Sequence, residues 1–336
     1  MKDIKNCPST LAAGFDTYSP TAIKRLFDGK RINHIMDFSY EEDEAATCVV
    51  DNATRISVSG VQEKLSAIIE NGKVVPTPAG TQGTYIIKPA PYNKVLRDRK
   101  QIPANEHLTM QIASQVYNIP TAENGLIFFS DGKPAYLTKR FDLTPTGLKI
   151  PQEDFATLIG KTPNNFGRDF KYTGSYKDIA LAIKRYVPAW MVEMSKFFTL
   201  VVFNYAFANG DAHLKNFSLQ QTTYGDYFLS PAYDLLNTSL HTNDDDFALE
   251  EGLSDKLIKS DVYEQKGHPC QTDFIRFGRE IGLREKQIHK CLTPFLIEQP
   301  KVLELITNSF LEEKQKRMYL SIYHERLNRL ARVSED

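Results

Sequence analysis

The chain has 336 residues, 41% of them hydrophobic, so it can bury a sizeable core, and its length favours two domains or lobes. Its 41 basic against 42 acidic residues leave a net charge of −1, which gives no overall electrostatic reason to expect direct nucleic-acid binding. The four cysteines, Cys7, Cys48, Cys270 and Cys291, form no C-x-x-C pair, which argues against a zinc site or a disulfide framework. No secretory signal and no apolar run long enough for a bilayer are present, so we expect a soluble, cytoplasmic protein without membrane attachment.

Short β-branched and aromatic runs separated by turn residues predict an antiparallel sheet in the first part of the chain. The predicted strands are 56–58, 65–69, 85–87, 126–129 and 136–139. The dipeptides Asn71-Gly72 and Asp131-Gly132 are typical of hairpin turns, because both residue pairs tolerate positive φ. Apolar residues at helical spacing predict that one helix, at 105–117, interrupts the strands.

After Pro145 and Gly147 the pattern changes, and helical periodicity dominates the rest of the chain. Helices are predicted at 176–186, at 189–208 and in several segments between 272 and 333. We therefore expect an α+β protein with a sheet-rich lobe at residues 1–141, a helical lobe at residues 142–336 and a cleft between them.

The segment N-G-D-A-H-L-K-N at residues 209–216 carries the groups that phosphoryl transfer needs. Asp211 is a carboxylate that can receive a hydroxyl proton, Asn216 is a neutral oxygen ligand for Mg²⁺, and Lys215 is a cation for a γ-phosphate. Asp234, which follows a predicted hairpin, adds a second carboxylate for Mg²⁺. Asp and Asn also cap helices and shape turns, so a purely structural role is the alternative.

Four features upstream predict a nucleotide site, and each has a structural alternative. The small residues of 56–65 would let backbone N–H groups approach phosphates, although an ordinary hairpin loop fits them equally. Lys88 ends an apolar strand and could reach the α- and β-phosphates, or could lie in solvent on an edge strand. Glu106 could pair with Lys88, or be a solvated glutamate. The backbone near Lys139 could meet an adenine edge and Phe141 its face, although core packing is the usual fate of such a ring.

The chain resembles the HipA-like family of bacterial toxin kinases in segments that follow one another in order. These segments read S-V-S-G-V-Q-E-K, I-I-K-P, N-E-H, K-R-F-D, N-G-D-A-H-L-K-N-F-S-L and P-A-Y-D-L-L, and they span about residues 55–237. The resemblance implies a two-lobed, protein-kinase-like fold with ATP in the cleft and Mg²⁺ as cofactor. It also implies serine/threonine phosphorylation of an aminoacyl-tRNA synthetase, which inhibits translation.

Carried over residue by residue, the resemblance makes Asp211 the catalytic base and places Lys215 and His213 beside it. His213 either orients Asp211 or packs beneath the loop, and the sequence leaves both open. The implied Mg²⁺ ligands are Asn216 and Asp234. The implied ATP-binding residues are Ser57, Val58, Ser59, Gly60, Lys64, Lys88, Glu106, Lys139 and Phe141.

Ser57 resembles the autophosphorylated serine of the family's phosphate loop, and Ser59 is a second candidate for the same modification. A phosphate on either serine would add about −1.5 to −2 charges beside the ATP phosphates, so we hypothesise that autophosphorylation inhibits the kinase. Serine-to-alanine variants no more active than wild type would contradict this hypothesis.

The paired serines make the phosphate loop similar to the compact, HipT-like branch of the family. Only about 54 residues precede Arg55, so the N-terminal subdomain of longer relatives is expected to be missing. The branch implies a small HipS-like protein in its place, a HipB-like DNA-binding antitoxin, and tryptophanyl-tRNA synthetase rather than the glutamyl enzyme as substrate. Lys139 departs from the family, in which many members have an acidic residue at the hinge.

Other functions remain compatible with the same residues. A kinase with a small-molecule acceptor would use the same phosphate chemistry. Residues 274–288 resemble a helix-turn-helix of a DNA-binding regulator, although a packed helical hairpin is the simpler interpretation. A pseudokinase acting as a binding module is the third alternative. The acidic run at 244–246 fits a solvated loop better than a metal cluster.

Overall fold

The computed structural model describes residues 4–40, 63–78 and 80–335. The predicted strand at 56–58 and Cys48 lie outside these ranges. So do the predicted phosphate-loop residues Ser57, Val58, Ser59 and Gly60. Their assignments stay predictions.

A five-stranded antiparallel sheet forms the first part of the fold, in the order β2-β1-β3-β5-β4. Its strands are β1 (Leu65–Glu70), β2 (Lys73–Pro76), β3 (Tyr85–Lys88), β4 (Asn124–Phe128) and β5 (Pro134–Lys139). Asn71 and Gly72 join β1 to β2 with φ of 50° and 74°, the positive values that a tight hairpin turn requires. The strands and hairpins predicted within the described ranges are confirmed.

An N-terminal segment covers one face of this sheet, which the sequence analysis did not predict. Its helix α1 (Pro20–Phe27) begins after the capping residue Ser19 and ends at Asp28, whose φ is 52°. The segment buries apolar side chains against inward-facing residues of the strands, namely Cys7, Tyr18, Leu26, Phe27, Ile32 and Met36 against Ala67, Ile87 and Leu137. This small core fixes the outer face of the sheet.

Helix α2 (Ile102–Gln115) covers the opposite face and joins the sheet to the rest of the molecule. Leu126 and Tyr136 alternate with Ile127 and Leu137 along β4 and β5, so neighbouring residues point to opposite faces. Leu126 and Tyr136 belong to the same large core as α2 and the C-terminal helices. Since α2 is buried between both parts, it positions the sheet relative to the helical part.

The remainder is mainly helical and contains a small antiparallel sheet in the order β6-β7-β8. Its elements are β6 (Gln152–Asp154), α3 (Phe155–Leu158), α4 (Pro163–Phe166), α5 (Tyr176–Tyr186), α6 (Trp190–Ala206), β7 (Ser218–Gln221), β8 (Tyr227–Leu229), α7 (Asp261–Lys266), α8 (Gln271–Glu280), α9 (Glu285–Leu292), α10 (Pro300–Asn308) and α11 (Glu313–Leu330). The predicted helices at 176–186 and 189–208 correspond to α5 and α6. Among the described helices, none is both long and apolar enough to cross a membrane.

The segment that resembled a helix-turn-helix forms α8 and α9, and these two helices pack into the helical core. Phe277 and Ile288 are buried, and a Cβ atom added to Gly278 would lie 2.8 Å from the Ile288 side chain. Such close packing is what the helical-hairpin alternative predicts. The chain is thus an α+β protein, and its division at residues 141 and 142 stays a prediction.

Candidate active site

A cleft of about 450 Å³ lies between the sheet and the helical part. Predicted site residues from both parts line it, namely Lys64, Lys88, Glu106, Lys139, Phe141, His213, Lys215, Asn216 and Asp234. Asp211 belongs to the same loop as His213 and Asn216, but its side chain is buried behind the lining. The structure therefore brings nine predicted site residues to one cleft, while Asp211, the predicted base, does not line it.

Lys88 lies at the end of β3, between β1 and β5, and its ammonium contacts two carboxylates. Its Nζ is 2.6 Å from Glu106 Oε1 and also donates to Asp234 Oδ1. The side chain is only 6% exposed, and Nζ lies 5.3 Å from the centre of the Tyr136 ring. The edge-strand and solvated-glutamate alternatives are therefore wrong for Lys88 and Glu106.

The charges of Lys88, Glu106 and Asp234 act strongly on one another. Burial alone would lower the pKa of Lys88, but the carboxylates of Asp234 and Glu106 outweigh it and raise the pKa above its usual value. Burial raises the pKa of Glu106, and the charge of Asp234 adds to that effect while Lys88 opposes it. Two carboxylates thus share the ammonium of Lys88 in a buried site, and a divalent cation bound at Asp234 would add positive charge there.

Asp234 is held in an unusual backbone conformation after β8. Its φ is 54°, in the left-handed region that non-glycine residues seldom adopt, with Asp and Asn the main exceptions. The side chain of Asn209 donates to the carbonyl oxygen of Asp234 at 3.4 Å and to Asn204 Oδ1 at 2.9 Å. Such conformations persist where surrounding contacts fix them, often at functional sites.

The catalytic loop that we predicted follows α6 and is tightly packed. The amide of Gly210 donates to Thr238 Oγ1 at 2.9 Å. A Cβ atom at Gly210 would lie 2.4 Å from the Asp244 Cβ atom and 2.7 Å from the Asp245 carbonyl oxygen, so only glycine fits here. The next residue, Asp211, is 4% exposed and accepts a hydrogen bond of 2.8 Å from the Tyr172 hydroxyl.

His213 is 4% exposed, and neither of its ring nitrogens has a hydrogen-bond partner among the described residues. Burial, assisted by the nearby charge of Lys171, lowers its pKa to about 3, so the imidazole is neutral at physiological pH. Its ring meets the Tyr172 ring edge to face, with 5.2 Å between the ring centres. Tyr172, and not His213, donates a hydrogen bond to the Asp211 carboxylate.

Lys215 and Asn216 lie where the loop meets the cleft. Lys215 is half-exposed, and its Nζ is 3.3 Å from Asp154 Oδ2 at the end of β6. Asn216 is 8% exposed and ends the short 3₁₀ turn Leu214–Asn216. Both side chains face the same cleft as Asp234.

The residues that we predicted to contact adenine are placed only partly as expected. Phe141 lies at the rim of the cleft beside Tyr233, with 5.6 Å between the ring centres. The amides of Lys139 and Arg140 already donate to backbone carbonyl oxygens, so these two amides are not available to an adenine edge. The Lys139 ammonium is 2.6 Å from the Asp28 carboxylate at the end of α1.

The sequence analysis missed the residues that support the loop from the turn Phe170–Tyr172, and it missed Asp154. None of them belongs to a motif of fixed spacing, and the contact between Tyr172 and Asp211 joins positions 39 residues apart. A tyrosine in an aromatic and basic stretch is no signal of such a contact, because tyrosines pack into cores everywhere.

The few metal ligands at this cleft suit a Mg²⁺ ion that is also bound by nucleotide phosphates better than a metal ion held by protein side chains alone. The described residues contain no group of three or more His, Cys, Asp or Glu side chains that could hold a metal ion. Asn216 and Asp234 line one cleft and offer two oxygen ligands. Mg²⁺ commonly binds one or two such side chains together with the phosphates of a nucleotide.

The chain belongs to the HipA-like C-terminal domain family, whose match covers residues 56–302. It is 29% identical over 334 residues to a Haemophilus influenzae protein with the name "Putative kinase", a match that spans 95% of this chain and 94% of the relative. It is 28% identical over 234 residues to the "Serine/threonine-protein kinase toxin HipA" of Shewanella oneidensis. That match covers 63% of this chain and only half of the Shewanella protein.

A solved structure confirms the predicted fold class. The Shewanella oneidensis HipA in a complex with HipB and operator DNA matches 84% of this chain and 66% of its own, with a TM-score of 0.61 at 21% identity. At this identity the likeness shows the fold alone, a two-lobed, kinase-like α+β fold. These comparisons do not separate the HipT-like branch from the rest of the family.

Proposed function

We propose that this chain is an ATP-dependent serine/threonine protein kinase and the toxin of a toxin–antitoxin system. The observation that carries the proposal is the cleft between sheet and helices, where Lys88, Glu106 and Asp234 meet beside Asn216. A buried lysine paired with a glutamate, a metal-binding aspartate and a loop with Asp and Asn are the parts that phosphoryl transfer requires. The family match and the names of the relatives support the same activity.

In this proposal each residue of the cleft has a defined task. Lys88 binds the α- and β-phosphates of ATP, Asn216 and Asp234 hold Mg²⁺, and Lys215 lies near the γ-phosphate. When bound, Mg²⁺ neutralises the phosphate charge that develops during transfer. The acceptor hydroxyl oxygen bonds to the γ-phosphorus, its proton passes to Asp211, and the bond from the γ-phosphorus to the β–γ bridging oxygen breaks to release ADP.

The acceptor and the regulation are finer proposals, which follow from the resemblance to the compact branch. We propose a serine of tryptophanyl-tRNA synthetase as the target, with the glutamyl enzyme next, so that phosphorylation inhibits translation. Ser57 and Ser59 are proposed autophosphorylation sites whose modification inhibits the kinase. The Ser57–Gly60 loop and Lys64 complete the proposed ATP site, with the lobes at 1–141 and 142–336.

Two protein partners complete the proposed system. The Shewanella relative forms a complex with HipB and operator DNA, and we propose a HipB-like antitoxin for this chain as well. A small HipS-like protein is the second proposed partner. With a net charge of −1 on the chain, DNA contact is assigned to the antitoxin.

The test compares wild type with Asp211→Asn, each first shown to be free of phosphate. Both proteins receive Mg²⁺ and γ-labelled ATP, alone and with a panel of aminoacyl-tRNA synthetases, and mass spectrometry maps the products. Label on Ser57 or Ser59 and on one synthetase, in the wild type only, is the expected result. If wild type labels no protein but consumes ATP with a metabolite mixture, the small-molecule alternative replaces ours. If the wild type transfers no phosphate at all, the pseudokinase alternative replaces our proposal.

A further inference from the structure

The 3₁₀ turn Phe170–Tyr172, which no motif marked, packs against the predicted catalytic loop. The Lys215 ammonium lies 5.9 Å from the centre of the Phe170 ring. The Tyr172 ring meets His213 edge to face, at 5.2 Å between ring centres. Two side chains of one turn thus contact two residues of the loop.

The contact between Tyr172 and Asp211 is the most directional of these. The hydroxyl donates to Asp211 Oδ1 at 2.8 Å, and the two residues are 2% and 4% exposed. The backbone of Tyr172 is itself held, because its amide donates to the Asp169 carbonyl at 2.8 Å and its carbonyl accepts from the Glu250 amide at 2.9 Å. A hydrogen bond to a carboxylate in such a buried place is stronger than one in water.

We propose that Tyr172 is a positioning residue for Asp211, holding the carboxylate in one orientation and favouring its ionised form. This inference rests on the proposed function and names a residue that it requires. A phenol suits the task because it donates a hydrogen bond without bringing a positive charge. A lysine or arginine in its place would stabilise the carboxylate far more and leave it a poorer base.

Other charged and titratable groups lie around this turn and the loop. Lys171 interacts with the charges of Asp169, Lys215 and Asp234, and His213 interacts with Lys171, Lys215 and Asp234. Lys171 interacts directly with the charge of Asp211. These groups remain in place when the phenolic oxygen alone is removed, so a change on its removal reports on the Tyr172 hydrogen bond.

Tyr176 provides a matched control. It is 1% exposed, and its hydroxyl donates at 2.9 Å to the carbonyl oxygen of Ala212, the residue next to Asp211. Tyr172→Phe and Tyr176→Phe therefore both remove a buried hydrogen bond to the same loop. The bond from Tyr172 ends on the Asp211 carboxylate, whereas the bond from Tyr176 ends on a backbone carbonyl.

Steady-state kinetics of phosphate transfer from ATP, measured from about pH 5 to 9, test the proposal. We expect Tyr172→Phe to lower kcat about 10- to 100-fold with the KM for ATP nearly unchanged, and to move the acid limb of the kcat profile up by about one pH unit. Tyr176→Phe should leave the acid limb in place and lower kcat less than about threefold. Equal profiles for the two variants would overturn the role of Tyr172 while leaving the kinase activity standing.

A second variant covers the case in which Tyr172→Phe is recovered only unfolded. Site-specific 3-fluorotyrosine at position 172 keeps the ring and the hydroxyl but makes the O–H a stronger donor. The acid limb should then move to lower pH, and an unmoved limb would refute the proposal. If wild type itself transfers no phosphate, the proposed function fails and the positioning role fails with it.

Discussion

We call Lys88, Glu106 and Asp234 the nucleotide side of the site, and residues 209–216 with Tyr172 the catalytic-loop side, after the functions proposed for them. Each side contains a buried carboxylate, but the partners of these carboxylates differ. On the nucleotide side, Asp234 and Glu106 share the ammonium of Lys88. On the catalytic-loop side, the Asp211 carboxylate accepts from a neutral phenol, Tyr172. The first side is held by opposite charges that come from both parts of the fold. The second is held mainly by packing and by hydrogen bonds such as that from Tyr172, and the charge of Lys171 acts on Asp211 as well.

This difference matches the chemistry proposed for each side. A carboxylate that binds a metal must stay charged, and a cation beside it stabilises that charge until the metal arrives. A carboxylate that receives a proton must keep some basicity, which a neutral donor preserves. Mutations on the nucleotide side should therefore act mainly through charge, and mutations on the catalytic-loop side mainly through packing and hydrogen bonds.

Lys88→Met should have the largest effect, because it leaves Glu106 and Asp234 buried without their cation. We expect a loss of about 3 to 5 kcal/mol in the free energy of unfolding, measured by urea denaturation, together with loss of phosphate transfer. Lys215→Met is the control, since its half-exposed ion pair with Asp154 should cost less than about 1 kcal/mol. Equal stability of the two variants would contradict a charge-held nucleotide side.

Gly210→Ala tests the packing of the catalytic loop without touching a charge. The added methyl would lie 2.4 Å from the Asp244 Cβ atom, so the backbone must shift, at a cost of about 1 to 3 kcal/mol and about tenfold or more in kcat. Gly132→Ala is the control, because its φ of 84° makes alanine costly while no atom lies within 4 Å. A control that lowered kcat as much as Gly210→Ala would refute the steric explanation.

Acid should destabilise the catalytic-loop side through His213. Its folded pKa of about 3 lies below the ordinary value of 6.5, so between these values the unfolded chain binds a proton that the folded chain rejects. Stability from this group is thus complete above pH 6.5 and falls on acidification, by about 1 to 2 kcal/mol between pH 6.5 and 5. His107 and His241, with pKa values lowered to about 4 by burial, add losses of the same sign.

Urea denaturation of wild type and His213→Phe at several pH values measures this contribution. The phenyl ring keeps the packing against Tyr172 but cannot titrate, so the variant should lose less stability on acidification than wild type. Identical slopes for the two proteins would show that the imidazole binds its proton over the same pH range in the folded and the unfolded state, against the lowered pKa.

Asp28→Asn should have the smallest effect, although it also breaks an ion pair near the nucleotide side. Asp28 is 65% exposed, so its pair with Lys139 is screened by water and salt. We expect a change below about 0.5 kcal/mol in the free energy of unfolding, and less at high salt. A larger loss would mean that charge, independent of burial, holds the nucleotide side together.

The sequence predicted much of the sheet because strand alternation and turn dipeptides are local signals. It missed α1, an eight-residue helix that buries only Ala22, Leu26 and Phe27. Short helices give a weak periodic signal, since their stability comes mainly from packing against the rest of the fold. Ser19 and Pro20 are a capping residue and a first-turn proline, and they were the available clues.

The site was predicted unevenly for a similar reason. Lys88, Glu106, Asn216 and Asp234 fall in segments whose order along the chain is itself a signal, and the structure gathers them at one cleft. Tyr172 and Asp154 meet their partners only through the tertiary fold, so no local spacing encodes them. The backbone bonds that occupy the amides of Lys139 and Arg140 were equally invisible in the sequence.

The left-handed backbone of Asp234, with φ of 54°, limits which residue types can replace it. The residue must tolerate that conformation and also place a charged oxygen at the cleft. Asparagine meets the first demand and fails the second, whereas glutamate keeps the charge but suits the conformation poorly. A lineage that loses the activity should therefore drift first to asparagine or glycine here, and such a chain would keep its fold while its chemistry was gone.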